Sequence, residues 1–260
     1  VTQVRLVQHL GWHEGWALLH KATANSRALN PALKGTNATD VDSVAAIDAL
    51  KRLFVPIPHG SPTPLARVAL MWHGTGERWI DAVCRDGARS FRTTDAGYFG
   101  AGSYVTAEGN YAVRYSEMGN GPGTAEHTII LFACSVSHAY PVTLGRDYDP
   151  AGNGFSRFFG EDPDHAIALA PKCDAHFIPV RYYGTANPLN GQPLAGGDDC
   201  DYQACSDGAA EGHELVLLSS GQMTPVATVT LRLKTAVPTG GVTCLFPCGV
   251  RVMDAPSLAA

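Results

Sequence analysis

The chain has 260 residues, 45% of them apolar, with 28 Gly and 17 Pro. That is ample material for one large core, and the abundance of turn residues suits short strands joined by loops better than a helical bundle. A formal charge of −5, with no run of Lys or Arg, argues against a surface built to track a nucleic-acid backbone, although a local patch stays open.

Val1 to Gln8 alternates apolar and polar residues, which predicts a half-buried strand. Asp40 is placed to cap a helix running to about Phe54, with Val44, Ile47, Leu50 and Phe54 on one face. A Pro-rich loop from Pro56 to Pro64 then leads into a strand over Ala66–Trp72. Thr75 is expected to cap a short helix with Trp79, Ile80 and Val83 inward, ended by Gly87. Residues 88–99 read as irregular, Ser103–Thr106 as a strand and Asn110–Ser116 as a helix. Thr128–Val136 is a near-continuous apolar run, the pattern of a strand in the middle of a sheet. Residues 145–170 form a Gly/Asp/Pro-rich loop with one helical turn, and Phe177–Tyr183 is a strand. A long Gly/Asp-rich excursion over 187–212 precedes two strands, Glu214–Leu218 and Val226–Leu233. The stretch 238–260 has no clear period and reads as a C-terminal tail after one domain, 1–237.

No apolar stretch reaches the roughly 20 residues that cross a bilayer, and Arg5, His9 and His13 interrupt any signal-peptide core. Seven Cys without a repeated Cys-x-x-Cys suit reduced thiols, so an intracellular setting, cytoplasm or nucleus, is expected. Cys200 and Cys205, with His213 or the Cys244/Cys248 pair, could hold zinc or form a disulfide, but the spacing is loose and no metal is expected. Asn37-Ala-Thr39 is a glycosylation triplet that matters only in a secreted protein.

Two segments carry the strongest signal. Ala69-Leu-Met-Trp-His-Gly-Thr75 ends a strand on a Gly-flanked His, and Gly97-Tyr-Phe-Gly-Ala-Gly-Ser-Tyr104 is a Gly-x-Gly hairpin bearing a Tyr. Together with Arg89-x-Phe91, Asp95-Ala-Gly97, Arg114-Tyr-Ser116 and His213-Glu-Leu-Val-Leu217, in that order, they resemble the catalytic domain of the poly(ADP-ribose) polymerase family. The layout is similar to tankyrase-like or mono-ADP-ribosylating members that lack the helical regulatory domain. The resemblance covers about residues 66–134 and 213–233.

The resemblance implies an α+β ADP-ribosyltransferase fold: two packed, mostly antiparallel β-sheets flanked by short helices around a cleft for NAD. NAD would be the substrate and protein side chains the acceptors, with no metal required and no membrane involved. Tyr104 and Tyr115 would form the two walls of the nicotinamide slot, where stacking on a pyridinium ring is worth about 1–2 kcal/mol when desolvated. His73 would bond the adenosine-side ribose, Gly74 would present its backbone to the carboxamide, and Thr75 would complete that motif. Arg89 would reach the adenosine or pyrophosphate side. Glu214 would be the catalytic carboxylate beside the nicotinamide ribose, with Glu211 as a substitute. Taken singly, Tyr115 also reads as a helix residue packing on Tyr111 one turn back.

Two positions depart from the family pattern. Ala112 stands where a Ser usually bonds the carboxamide, a loss of about 1 kcal/mol, and Val105 replaces the usual Phe after the first Tyr. Alternatives that keep the same residues are an NAD glycohydrolase, a transferase acting on nucleic-acid ends, and a non-catalytic domain that binds NAD or ADP-ribose.

Overall fold

The computed structural model describes residues 1–29, 39–61, 64–88, 99–100, 102–120, 124–147, 170, 172–180, 204–205, 210–217 and 219–232. The strands are β1 (Gln3–Leu6), β2 (Arg67–Gly74), β3 (Ser103–Thr106), β4 (Glu126–Val136), β5 (Ala139–Pro141), β6 (Ala175–Val180), β7 (Gly212–Leu217) and β8 (Met223–Arg232). The helices are α1 (Leu10–Leu29), α2 (Val41–Leu53), α3 (Ile80–Asp86), α4 (Gly109–Asn120) and α5 (Leu144–Asp147). The class is α+β. The tail 238–260, Asn37, and Cys200, Cys244 and Cys248 lie outside the described residues.

The strands join in one sheet of eight, in the order β1-β8-β4-β2-β3-β7-β6-β5, rather than in the two sheets expected. All pairings are antiparallel except β5 with β6. One residue pair makes the difference. β2 lies along β4 over its whole length, from Arg67↔Val136 to Gly74↔Ile129, and β3 lies along β7, from Ser103↔Leu217 to Thr106↔Glu214. Between β2 and β3 the register has a single pair, Trp72↔Thr106. Two four-stranded halves are thus stitched at one point.

Side chains alternate across a strand and paired residues share a face, so the register sorts the two sides of the sheet. One side carries Met71, Ile130, Phe132, Val105, Phe177, Leu215 and Leu217 into the main core, where Ala46, Ala49 and Leu50 of α2 and Ile80 of α3 cover them. The other side carries Trp72 and Ile129 beneath Ala112 and Val113 of α4. Beyond the stitch the same side carries Val216, Ile178 and Val180 against Phe99, Tyr140 and Val142.

Most elements lie where periodicity placed them, and four local expectations fail. β1 is a strand, but all four of its residues are exposed, because it is the outermost strand beside β8. In α2 the buried residues are Ser43, Ala46, Ala49 and Leu50, while Val44 is 46% exposed. The small side chains let the helix approach β6, and this moves the buried stripe off Val44. Thr75 caps nothing: a 3-10 turn at Glu77–Trp79 comes first, and the Glu77 N–H donates to Asn120 Oδ1 (2.5 Å) at the end of α4. That turn rotates Trp79 outward, to 51% exposure, with the Arg78 guanidinium carbon over its ring at 5.2 Å from the centroid. Gly87 does end α3, at φ +84°.

The N-cap of α2 is as expected. Asp40 Oδ1 accepts from Ser43 N (2.8 Å) and Oδ2 from Ser43 Oγ (2.7 Å). Asp40→Ala removes both bonds and is expected to cost about 1 kcal/mol of stability, read as a lower midpoint in thermal unfolding; an unchanged midpoint would deny the cap any role.

Candidate active site

The register that pairs Trp72 with Thr106 would, if continued, set Gly74 opposite Tyr104. No such pair forms, and the ladder opens at this place. The Tyr104 carbonyl still needs a donor, since an unsatisfied carbonyl away from water costs about as much as a lost hydrogen bond. His73 supplies it through Nδ1, at 2.8 Å. A carbonyl only accepts, so Nδ1 carries the proton and the neutral ring presents Nε2 as its acceptor. Burial pushes the His73 pKa below the usual imidazole value, although the bond to Tyr104 opposes the shift. By alternation His73 lies on the core side of β2, edge-on to Phe132 at 6.1 Å.

The remaining predicted residues gather on the opposite side. Tyr104 shares a face with Thr106, hence with Trp72 and Gly74, and with Glu214 through the Thr106↔Glu214 pair. Tyr104 and Glu214 are diagonal neighbours on the β3–β7 ladder, roughly 7–8 Å apart by sheet geometry. The Tyr104 hydroxyl is held by the hairpin, donating to Gly100 O (2.7 Å) and accepting from Phe99 N (2.8 Å).

α4 roofs this side. A Cβ on Gly74 would lie 1.7 Å from Ala112 O and 3.0 Å from Tyr115 Cβ. Only glycine admits the helix so close to β2. Tyr115 adjoins Gly74 by this contact, whereas Tyr104 would face Gly74 only if the β2–β3 register continued. Ala112 is buried beside Val113, Ile129 and Trp72, in apolar surroundings that need no hydroxyl. Thr75 follows directly, half-buried. The hairpin glycine Gly102 has a plainer use than the ligand approach expected of it: a Cβ there would meet Leu217 O at 2.5 Å, so it lets β3 begin against β7. Arg89 lies outside the described residues.

Glu214 is 4% exposed. Its Oε1 accepts from the hydroxyl of Tyr111 on α4, and that hydroxyl lies 3.4 Å from the Tyr115 hydroxyl. The Tyr111 and Tyr115 rings are 5.6 Å apart and tilted by 54°. Packing of Tyr115 on Tyr111 is therefore present, and it joins Tyr115 to Glu214 rather than excluding it from the site. Glu211, the substitute carboxylate, is exposed at the approach to β7.

Glu108 was not anticipated. Its carboxylate accepts from Thr106 Oγ1 (2.9 Å), His213 N (2.7 Å) and His213 Nδ1 (2.8 Å), and its carbonyl from Tyr111 N (3.1 Å) and Ala112 N (3.2 Å). It therefore ties the ends of β3, β7 and α4, the three elements that carry Tyr104, Glu214 and Tyr115. The signal available in sequence was thin: an acidic residue just before a helix, whose first turn favours negative charge.

Cys84 and Cys134 are free thiols, and burial raises that of Cys84 to about 11. No cluster of metal-ligating side chains occurs among the described residues. No helix among them is long and apolar enough to cross a membrane. The chain matches no protein-family model and no curated protein.

Two outcomes follow from this geometry. Glu108→Ala leaves the His213 amide and the Thr106 hydroxyl without their acceptor and is expected to cost about 2–4 kcal/mol, measured as a shift in denaturant midpoint; a shift near zero would remove Glu108 from the junction. His73 has a folded pKa below its unfolded value, so the unfolded chain binds the proton first. Its share of stability is complete above about pH 6.5 and is lost as pH falls toward the folded pKa. His20 and His138 are depressed as well, so the difference between the wild type and His73→Asn isolates the effect. The wild type should lose more stability than the variant between pH 7.5 and 5, and parallel curves would contradict the assignment.

Proposed function

We propose that the chain is an ADP-ribosyltransferase with the fold of that enzyme class, taking NAD as substrate and a protein side chain as acceptor. The reading is carried by one observation: the β2–β3 ladder opens between Gly74 and Tyr104, and Tyr115 and Glu214 lie on the same side of that opening.

A positively charged nicotinamide ring suits a gap bordered by two phenol rings, and the backbone of Gly74 at its floor suits the carboxamide. Ala112 offers the amide no side-chain bond, so the backbone would hold it alone. Cleavage of the nicotinamide–ribose bond sends the bonding pair to the leaving nicotinamide and leaves positive charge on C1′ and the ring oxygen of the ribose. The carboxylate of Glu214 stabilises that charge as it develops. An acceptor oxygen or nitrogen then bonds C1′ and gives up its proton. Neutral His73 presents Nε2 as an acceptor for a ribose hydroxyl, because Nδ1 is committed to Tyr104 O. The net acidity of the chain favours protein over nucleic acid as acceptor.

Incubation with NAD followed by intact-mass measurement should show added ADP-ribose together with released nicotinamide. Glu214→Gln keeps an acceptor for the Tyr111 hydroxyl, so the domain should fold while transfer drops about 100- to 1000-fold. Transfer that survives the substitution would take Glu214 out of the mechanism, and free ADP-ribose with no label on protein would make water the acceptor.

A further inference from the structure

We propose that Tyr111 is a positioning residue for Glu214, holding the carboxylate ionised and in one orientation toward the ribose; this rests on Glu214 being the carboxylate of the transferase reading. Three observations carry it. The Tyr111 side chain is among the largest fully buried ones, at 1% exposure, and its hydroxyl donates to Glu214 Oε1. Its backbone is held as well, by the bond from Tyr111 N to Glu108 O. And β7 makes room for it: a Cβ on Gly212 would lie 3.3 Å from Tyr111 Cδ1, tighter than side chains normally pack. The ring is thus fixed from its own helix and from the strand that bears Glu214.

The chemistry follows from the bond. A phenol donating to a carboxylate favours the charged form, which burial by itself would disfavour. It also commits Oε1 and restricts the side-chain rotamer of the carboxylate. Tyr111 reaches Tyr115 on its other side, so a ring stacked on Tyr115 and the carboxylate beside the ribose share one hydrogen-bonded support. Tyr111 touches no reacting atom in this scheme; it acts through Glu214.

Among the described residues, the titratable groups that face Glu214 or border it are Tyr111 and Tyr115 on α4, Tyr104 on β3, and the Glu108–His213 pair at the start of β7. β6 contributes the apolar Ile178 opposite Glu214 and, diagonally on the same face, His176, whose ring nitrogens bond Phe99 O and Ala170 N. Tyr111→Phe keeps the ring in its place and removes the donor to Glu214 together with the 3.4 Å contact to the Tyr115 hydroxyl.

With NAD and the full chain, Tyr111→Phe should lower kcat about 10- to 100-fold, the equivalent of one hydrogen bond to a charged group, and leave KM within about twofold. The acid limb of the kcat–pH profile should move upward, and 3-fluorotyrosine at position 111, a stronger donor of nearly the same shape, should move it the other way. A purely structural Tyr111 would move neither limb. If the wild type transfers ADP-ribose and the Phe variant keeps full kcat with an unshifted acid limb, the positioning role is overturned while the transferase reading stands. If the wild type releases no nicotinamide, the transferase reading fails, and the Glu214 carboxyl titration followed by carbon-13 NMR decides the rest. A titration that moves upward in Tyr111→Phe retains Tyr111 as the group that sets the charge of Glu214; an unmoved one overturns it.

Discussion

A β-ladder that stops must still satisfy its backbone, and in this protein the hydrogen bond from His73 Nδ1 to Tyr104 O meets that demand where β2 and β3 part. The bond has two effects. It lets the sheet open one residue beyond the Trp72↔Thr106 pair without stranding a carbonyl. It also fixes the imidazole tautomer, so a single side chain both satisfies the carbonyl where the ladder ends and keeps Nε2 as an acceptor. With a continuous ladder, Gly74 and Tyr104 would face each other across hydrogen bonds and no gap would exist.

Around that opening the parts are held by close contacts and hydrogen bonds. α4 sits on β2 because Gly74 has no side chain to keep it away, and this closeness brings Tyr115 to the gap. Glu108 then fastens the start of the same helix to β3 and β7 through three hydrogen bonds to its carboxylate. Such a junction is strong because its acceptor is charged and only partly exposed, where bonds to ionised groups exceed neutral ones. The bonds from Tyr111 to Glu214 and near Tyr115 extend the same scaffold into the site. Position is therefore determined by several elements at once.

The two sides of the sheet divide the labour. The side under α2 and α3 is almost wholly apolar, with Met71, Ile130, Phe132, Phe177, Leu215 and Leu217 packed in one cluster. His73 is the site residue on that side, and burial among these neighbours is what depresses its pKa. The α4 side mixes apolar anchors with hydroxyls and a carboxylate.

Sequence by itself determined the elements whose signal is local. The cap at Asp40, the strand at Ser103–Thr106, the long apolar strand β4 and the glycine that ends α3 were all legible, because each depends on a few adjacent side chains and their backbone preferences. The order His73, Tyr104, Tyr115, Glu214 was legible for the same reason, as motifs on short segments. What tertiary structure decided is everything that depends on a distant partner. Whether there are one or two sheets turned on a single cross-strand pair, and the exposure of β1 on its place at the sheet's edge. Trp79 faces outward because Asn120, 43 residues beyond Glu77, holds the turn that begins there. Tyr111 looked like the packing partner of Tyr115, and Glu108 like an ordinary acid before a helix. Their bonds to residues 103 and 105 positions away exist only once β7 lies beside β3, and no periodicity within a short window can register a contact across that span.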